Sequence, residues 1–133
     1  MTEPIWVERW ELDAMHAALI KHYGGASGVR AGGDDLIESA MARPLHKYAF
    51  EPDCSLARLA AAYLYGLTKN HGFVDGNKRI GFAAASSFLK ANGIRLTATQ
   101  DDAYEIVLRV VENRYTEDDA ARWIAEHSKS IDR

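Results

Sequence analysis

The sequence predicts an all-α fold: one helical domain over residues 1–133, compact, with a polar loop and the helix after it at its centre. Three observations predict it. Apolar residues recur at helical spacing through most of the chain. Capping residues and glycines stand where those stripes begin and end. Only two brief stretches, Tyr48-Ala49-Phe50 and residues 94–97, read as extended.

Taken in order, Leu12, Met15, His16, Leu19, Ile20 and Tyr23 form one apolar stripe, the mark of an amphipathic helix, and Gly24-Gly25 stops it. His16 lies on that stripe and reads as a hydrogen-bonded core histidine. A Gly-rich connection runs to Gly32-Gly33. Asp34 or Asp35 is then expected to cap a short helix that ends before Pro44, because the residue before a proline is pushed out of the helical region. Residues 45–53 follow neither period. Ser55 caps a helix with the stripe Leu56, Leu59, Ala60, Tyr63, Leu64 and Leu67. Residues 77–91 are apolar almost all round, with Ile80 and Phe88 on one side and Phe82 and Leu89 on another, so this helix is expected to be central. Asn92-Gly93 ends it in the left-handed geometry that glycine permits. A helix from about Asp101 turns Ile106, Val107 and Val110 inward. Thr116 with Asp119 makes a capping box for a last helix, whose inner face is Ala120, Trp123, Ile124 and His127. Trp6, Trp10 and Trp123 are expected in the core.

Hydrophobic residues make up 47% and charged residues 26%, the balance of a globular protein, and the net charge is −3. No global basic field draws the chain to nucleic acid or to a membrane surface. Cys54 is the single cysteine, which rules out a disulfide within the chain and a thiolate zinc site. The first residues lack the apolar run of a signal peptide, and no stretch reaches the roughly 18 continuous apolar residues of a membrane helix. The expectation is a cytoplasmic protein with neither membrane nor nucleic acid as a direct partner.

The chemistry concentrates in one run, His71-Gly72-Phe73-Val74-Asp75-Gly76-Asn77-Lys78-Arg79, set between two of the most apolar segments. Polar groups brought to a core cost free energy unless paired or used. Gly76 permits a tight turn, and a helix opening at Asn77 aims its first amides back into the loop as an anion site. Lys78 and Arg79 stand at that positive helix end, where cations are intrinsically disfavoured unless an anion binds. A phosphate fits, with the compact charge of lysine and the planar fork of arginine serving different oxygens. Asp75 either pairs with one of these cations or holds a divalent metal such as Mg²⁺, which takes one or two carboxylates plus phosphate oxygens. His71 is an imidazole, the side chain that ordinarily titrates near neutrality, placed to accept a proton from a hydroxyl. Phe73 reads as the apolar anchor of the loop, and Gly72 and Val74 as spacers. There is no Walker-type loop and no HExxH, and a single histidine in the run argues against zinc.

The pattern His71-x-Phe73-x-Asp75-Gly76-Asn77-Lys78-Arg79 resembles the signature of the Fic/Doc superfamily, most closely its death-on-curing (Doc) branch of toxins from type II toxin–antitoxin pairs. His16-x-x-x-Ile20-x-x-Tyr23-Gly24-Gly25, residues 38–44 and residues 88–93 also look like Doc-type sequence, so the resemblance spans roughly residues 16–96. It implies the Fic fold, with residues 45–53 in the place of a short β flap that aligns a target peptide. It also implies an ATP- and Mg²⁺-dependent enzyme. His71 would be the base, Asp75 the metal carboxylate, and Gly76, Asn77, Lys78 and Arg79 the phosphate-binding residues.

Typical Fic proteins transfer AMP to a protein hydroxyl, whereas the Doc branch phosphorylates a threonine of elongation factor Tu and halts translation. Fic adenylyltransferases typically carry glycine where this chain has Lys78, and an arginine where it has Phe82. Both departures favour the kinase reading, with AMP transfer as its alternative. A non-catalytic module binding phosphate or RNA is a third reading, disfavoured by the alanine-rich surroundings and by Asp75. No Ser/Thr-x-x-x-Glu-Gly/Asn self-inhibitory motif is present. The resemblance therefore implies control by a cognate antitoxin whose disordered tail folds onto the toxin.

Overall fold

The computed structural model describes residues 3–131. It contains helices α1 (Arg9–Tyr23), α2 (Gly33–Phe50), α3 (Leu56–Asn70) and α4 (Asn77–Ala91), then strand β1 (Ile94–Leu96), helices α5 (Gln100–Val111) and α6 (Glu117–Glu126), and strand β2 (Ser128–Ser130). The all-α class therefore stands, with a small antiparallel ribbon in which Ile94 faces Ser130 and Leu96 faces Ser128.

Helix α3 sits at the centre. It packs against α2, α4, α5 and α6, and Leu59, Tyr63 and Leu64 are fully buried. Its alanines and glycine let neighbours come close. A Cβ on Gly66 would meet Cα of Ala40 on α2 at 3.2 Å, so α2 and α3 pack nearly backbone to backbone there. Helix α4 crosses α3 through Ile80, Ala84, Ala85 and Phe88, and Gly81 leaves room for Thr68. The expected central helix is thus one of a central pair, of which α3 is the more deeply buried. Four of the local signals hold as read. Ser55 accepts from Arg58 N–H, Thr116 and Asp119 form a reciprocal box, α5 turns Ile106, Val107 and Val110 inward, and Gly93 takes a left-handed φ of 87°.

Several expectations are corrected. Helix α2 does not end before Pro44 but runs through it to Phe50, with Gly32 rather than Asp34 or Asp35 at its N-cap. Pro44 donates no hydrogen bond to the preceding turn, a loss that normally breaks a helix. Here Pro44, Met41, Ala40 and Ile37 are all buried on the face that α2 turns to the core, and that packing overrides the local preference. Residues 45–50 are consequently helical, so they are neither an extended piece at Tyr48-Ala49-Phe50 nor the flap. Trp10 is 70% exposed, while Trp6 stacks on Phe88 and Trp123 is buried. Strand β2 carries the sequence Ser-Lys-Ser, which has no strand signature of its own.

Candidate functional site

The motif run forms the turn between α3 and α4. His71 ends α3 in the left-handed conformation (φ 52°, ψ 49°), a strained backbone for a residue with a side chain, and its imidazole is exposed. That turn drops Gly72 into the core. A Cβ on Gly72 would collide with Ile37 and lie 2.8 Å from the Gly33 carbonyl oxygen, so this position tolerates only glycine. The expected spacer is thus a packing requirement. Phe73 is buried, as expected of an anchor, and its ring stacks on His16 at 3.8 Å.

Asn77 organises the loop from inside. Its Oδ1 accepts from Phe73 N–H at 3.0 Å and its Nδ2 donates to the Phe73 carbonyl at 3.0 Å. Those two bonds fix which way the amide faces, so Nδ2 also points at His71 Nδ1, 3.4 Å away. That distance orients the imidazole without deciding which ring nitrogen carries the proton. The side chain of Asn77 is therefore occupied, and only its backbone amide remains for a ligand.

Asp75 does not pair with Lys78 or Arg79. Its Oδ2 accepts from Ala26 N–H at 2.7 Å, and its carbonyl accepts from His16 Nε2 at 2.7 Å. Gly76 follows with φ 79°, and no side chain caps α4. Among the described residues, the N–H groups of Gly76, Asn77, Lys78 and Arg79 find no acceptor, and neither Lys78 nor Arg79 makes an ion pair. The Arg79 guanidinium lies over the Tyr23 ring at 4.1 Å. The structure thus brings together an exposed imidazole, a carboxylate, four open amides and two unpaired cations.

Beside the cations opens a cleft of about 530 Å³, lined by Leu19, Tyr23, Phe82, Ala98 and Tyr104. Its walls are mostly apolar with exposed aromatic rings, a surface that suits a flat ring. A second cavity of about 460 Å³ lies near Tyr48, Pro52 and Cys54 and holds none of the motif residues. Burial, and next the neighbouring Glu51, push the Cys54 thiol above its ordinary value, which makes it a poor nucleophile. Cys54 stays outside the site.

The strand-like companion of the motif is residues 28–30. Val74 N–H donates to the Gly28 carbonyl and Arg30 N–H to the Gly72 carbonyl, with Val29 bridged to Phe73. The polar backbone groups of Val29 itself face away from the motif and find no partner among the described residues, an open edge for an extended chain. The sequence shows this stretch only as a Gly-rich connection. Its exposed, turn-rich character was visible, but its pairing with a loop more than 40 positions on was not.

Magnesium can be tested against this donor set. Asp75 offers one committed oxygen and one open one, and no group of three or more His, Cys, Asp or Glu side chains assembles among the described residues. That suits a Mg²⁺ ion held jointly with phosphate oxygens and does not suit a metal caged by protein alone.

The site is thus a histidine-led loop that runs into a helix N-terminus without a side-chain cap, set in a helical domain. The family model described as the Fic/DOC family matches residues 6–89. The chain is 42% identical to "Toxin Doc" of Mycolicibacterium smegmatis over 94 residues, 69% of this chain and 71% of that protein. It is 35% identical to "Protein kinase doc" of Escherichia phage P1 over 86 residues, 65% of this chain and 67% of that protein. The chain belongs to the Fic/DOC family and is a Doc-type member of it. Among the described residues no helix is long and apolar enough to cross a membrane.

Proposed function

We propose that this protein is a toxin that transfers the terminal phosphoryl group of ATP to a threonine hydroxyl of a translation factor such as elongation factor Tu, in the cytoplasm. The observation that carries this reading is the uncapped N-terminus of α4, with Lys78 and Arg79 unpaired beside His71 and Asp75. Two positive side chains at the positive end of a helix are a standing cost that a polyphosphate removes.

In this reading the target lies extended along Val29, its backbone pairing with the open edge, and its hydroxyl meets the exposed His71. His71 takes the hydroxyl proton as the bond from the hydroxyl oxygen to the γ-phosphorus forms and the bond from that phosphorus to the leaving ADP breaks. The amides of residues 76–79 hold the phosphoryl oxygens, and Lys78 and Arg79 balance the charge that develops. Mg²⁺ on Asp75 and the phosphates would neutralise charge on the transferred group. The nucleoside fits the cleft at Tyr23, Phe82 and Tyr104.

The name "Protein kinase doc" of the phage relative supports phosphoryl transfer, as do Lys78 in the cradle and Phe82 in the cleft wall in place of an arginine. AMP transfer is the alternative. Incubation with ATP, Mg²⁺ and purified elongation factor Tu, followed by mass spectrometry, separates them. A gain of about 80 Da on the target is expected, and about 329 Da would establish AMP transfer instead. The relative named "Toxin Doc" supports a cognate antitoxin as partner, a short protein whose disordered tail folds on this surface.

A further inference from the structure

We infer that His16 is a positioning residue of the site: its one hydrogen bond sets the peptide plane that aims the anion-binding amide of Gly76. The inference rests on the phosphate reading above and goes beyond it, since His16 lies outside the run of residues 71–79 and was given only a core role.

His16 lies in the middle of α1 and is 3% exposed. Its ring is held flat against Phe73 at an interplanar angle of 15°. From that fixed plane Nε2 meets the Asp75 carbonyl oxygen at 2.7 Å. A carbonyl only accepts, so Nε2 carries the proton in every state in which this bond exists. The Asp75–Gly76 peptide is planar and trans, so its C=O and N–H point in opposite directions. With the carbonyl pinned towards His16 on α1, the Gly76 N–H is turned away from it, and among the described residues it finds no acceptor, as the amides of Asn77, Lys78 and Arg79 find none.

Two neighbours show that the arrangement is tight. A Cβ on Gly76 would stand 3.4 Å from His16 Nε2 and 3.3 Å from Ile20 Cδ1. One on Gly25 would stand 3.2 Å from Asp75 Cβ. Asp75 is thus gripped at its carbonyl by His16 and at its carboxylate by Ala26 N–H, so its open oxygen and the next amide are aimed together. A stacked apolar ring alone would fill the same space. The hydrogen bond is what phosphate binding needs, because it stops the peptide from flipping its carbonyl outward into the anion site.

The test compares His16→Phe, which keeps the stack and loses the donor, with His16→Gln, which keeps a donor in the same direction. Inorganic phosphate is titrated against the full chain, with the backbone amides of Gly76 and Lys78 followed by NMR, and amide exchange of residues 75–77 is recorded without ligand. Wild type is expected to bind phosphate at these amides. His16→Phe is expected to bind about tenfold more weakly and to exchange these amides faster, with an unchanged unfolding midpoint. His16→Gln is expected to recover most of the affinity. Equal phosphate affinity in wild type and His16→Phe would overturn the inference, as would His16→Gln losing as much as His16→Phe while folded. If the phosphate response is intact but no transfer to protein occurs, the function proposed above fails while the positioning role of His16 stands. No phosphate response in wild type would overturn the anion site and this inference with it.

Discussion

At the N-terminus of α6, Thr116 Oγ accepts from Asp119 N–H at 3.1 Å, and the Asp119 carboxylate accepts from Thr116 N–H at 3.0 Å. Glu117 and Asp118 complete an acidic first turn, in the sense that the helix dipole favours. At the N-terminus of α4, Gly76 has no side chain to offer, the first turn has no acid, and Lys78 and Arg79 stand where the dipole opposes them. Helix α5 repeats the α6 solution with Thr99 and Asp102. The chain thus closes the N-termini of α3, α5 and α6 with a serine or threonine side chain, whereas α2 and α4 begin at a glycine with no such cap. Helix α2 then places Asp34 and Asp35 in its first turn, where α4 places Lys78 and Arg79. In the function proposed above, that difference in charge separates an end built for stability from an end built for a ligand.

That contrast can be broken at either end, and the largest effect belongs to the open one. His71→Ala is expected to cut transfer to the target by about 10²- to 10⁴-fold while the unfolding midpoint stays put, measured by phosphate incorporation and calorimetry. Gly72→Ala attacks the same loop from its buried side. The added methyl meets Ile37 and the Gly33 carbonyl, so a loss of about 2 kcal/mol in chemical unfolding is expected, together with lost activity.

At the closed end, Thr116→Ala is expected to cost about 1 kcal/mol and leave transfer untouched. Its acid dependence carries a definite sign. The Thr116 backbone N–H, and then its hydroxyl, hold the Asp119 carboxyl below its ordinary range. The stability this contributes is present above the ordinary carboxyl pKa and is lost as pH falls through the lowered one. Asp119→Asn should therefore flatten the acid limb of the unfolding midpoint against pH. The smallest effect runs the other way: removing a cation from the open end by Lys78→Gln is expected to add about 0.5 kcal/mol.

Much of this contrast was legible in the sequence, because caps and stripes are local. Ser55, Thr116 with Asp119, and the apolar faces of α3 to α6 act within one or two turns, and most of them fall as the pattern predicts. Leu56 and Phe82, however, are half-buried, and His127 follows α6 as its C-cap. The grouping of His71, Asp75, Lys78 and Arg79 was legible too, since nine consecutive residues cannot lie far apart. What the sequence hid depends on partners distant along the chain. His16 reads as a core histidine and is one, yet its hydrogen bond reaches a residue 59 positions away and turns packing into site geometry. Helix α2 continues past Pro44 because of burial against α3, which no helix-ending rule weighs. The edge beside the motif, at Val29, is held by Gly28 and Arg30 and not by residues 45–53. Asn77 looks like a phosphate ligand by its place in the run, but Phe73 has already claimed its side chain.

The most direct test of the open helix end is the thermal unfolding midpoint of wild type and Lys78→Gln, each measured with and without inorganic phosphate. An anion site predicts that phosphate raises the wild-type midpoint, and that Lys78→Gln starts slightly higher and responds far less. Equal phosphate responses in the two proteins, or a Lys78→Gln variant less stable than wild type without phosphate, would contradict it.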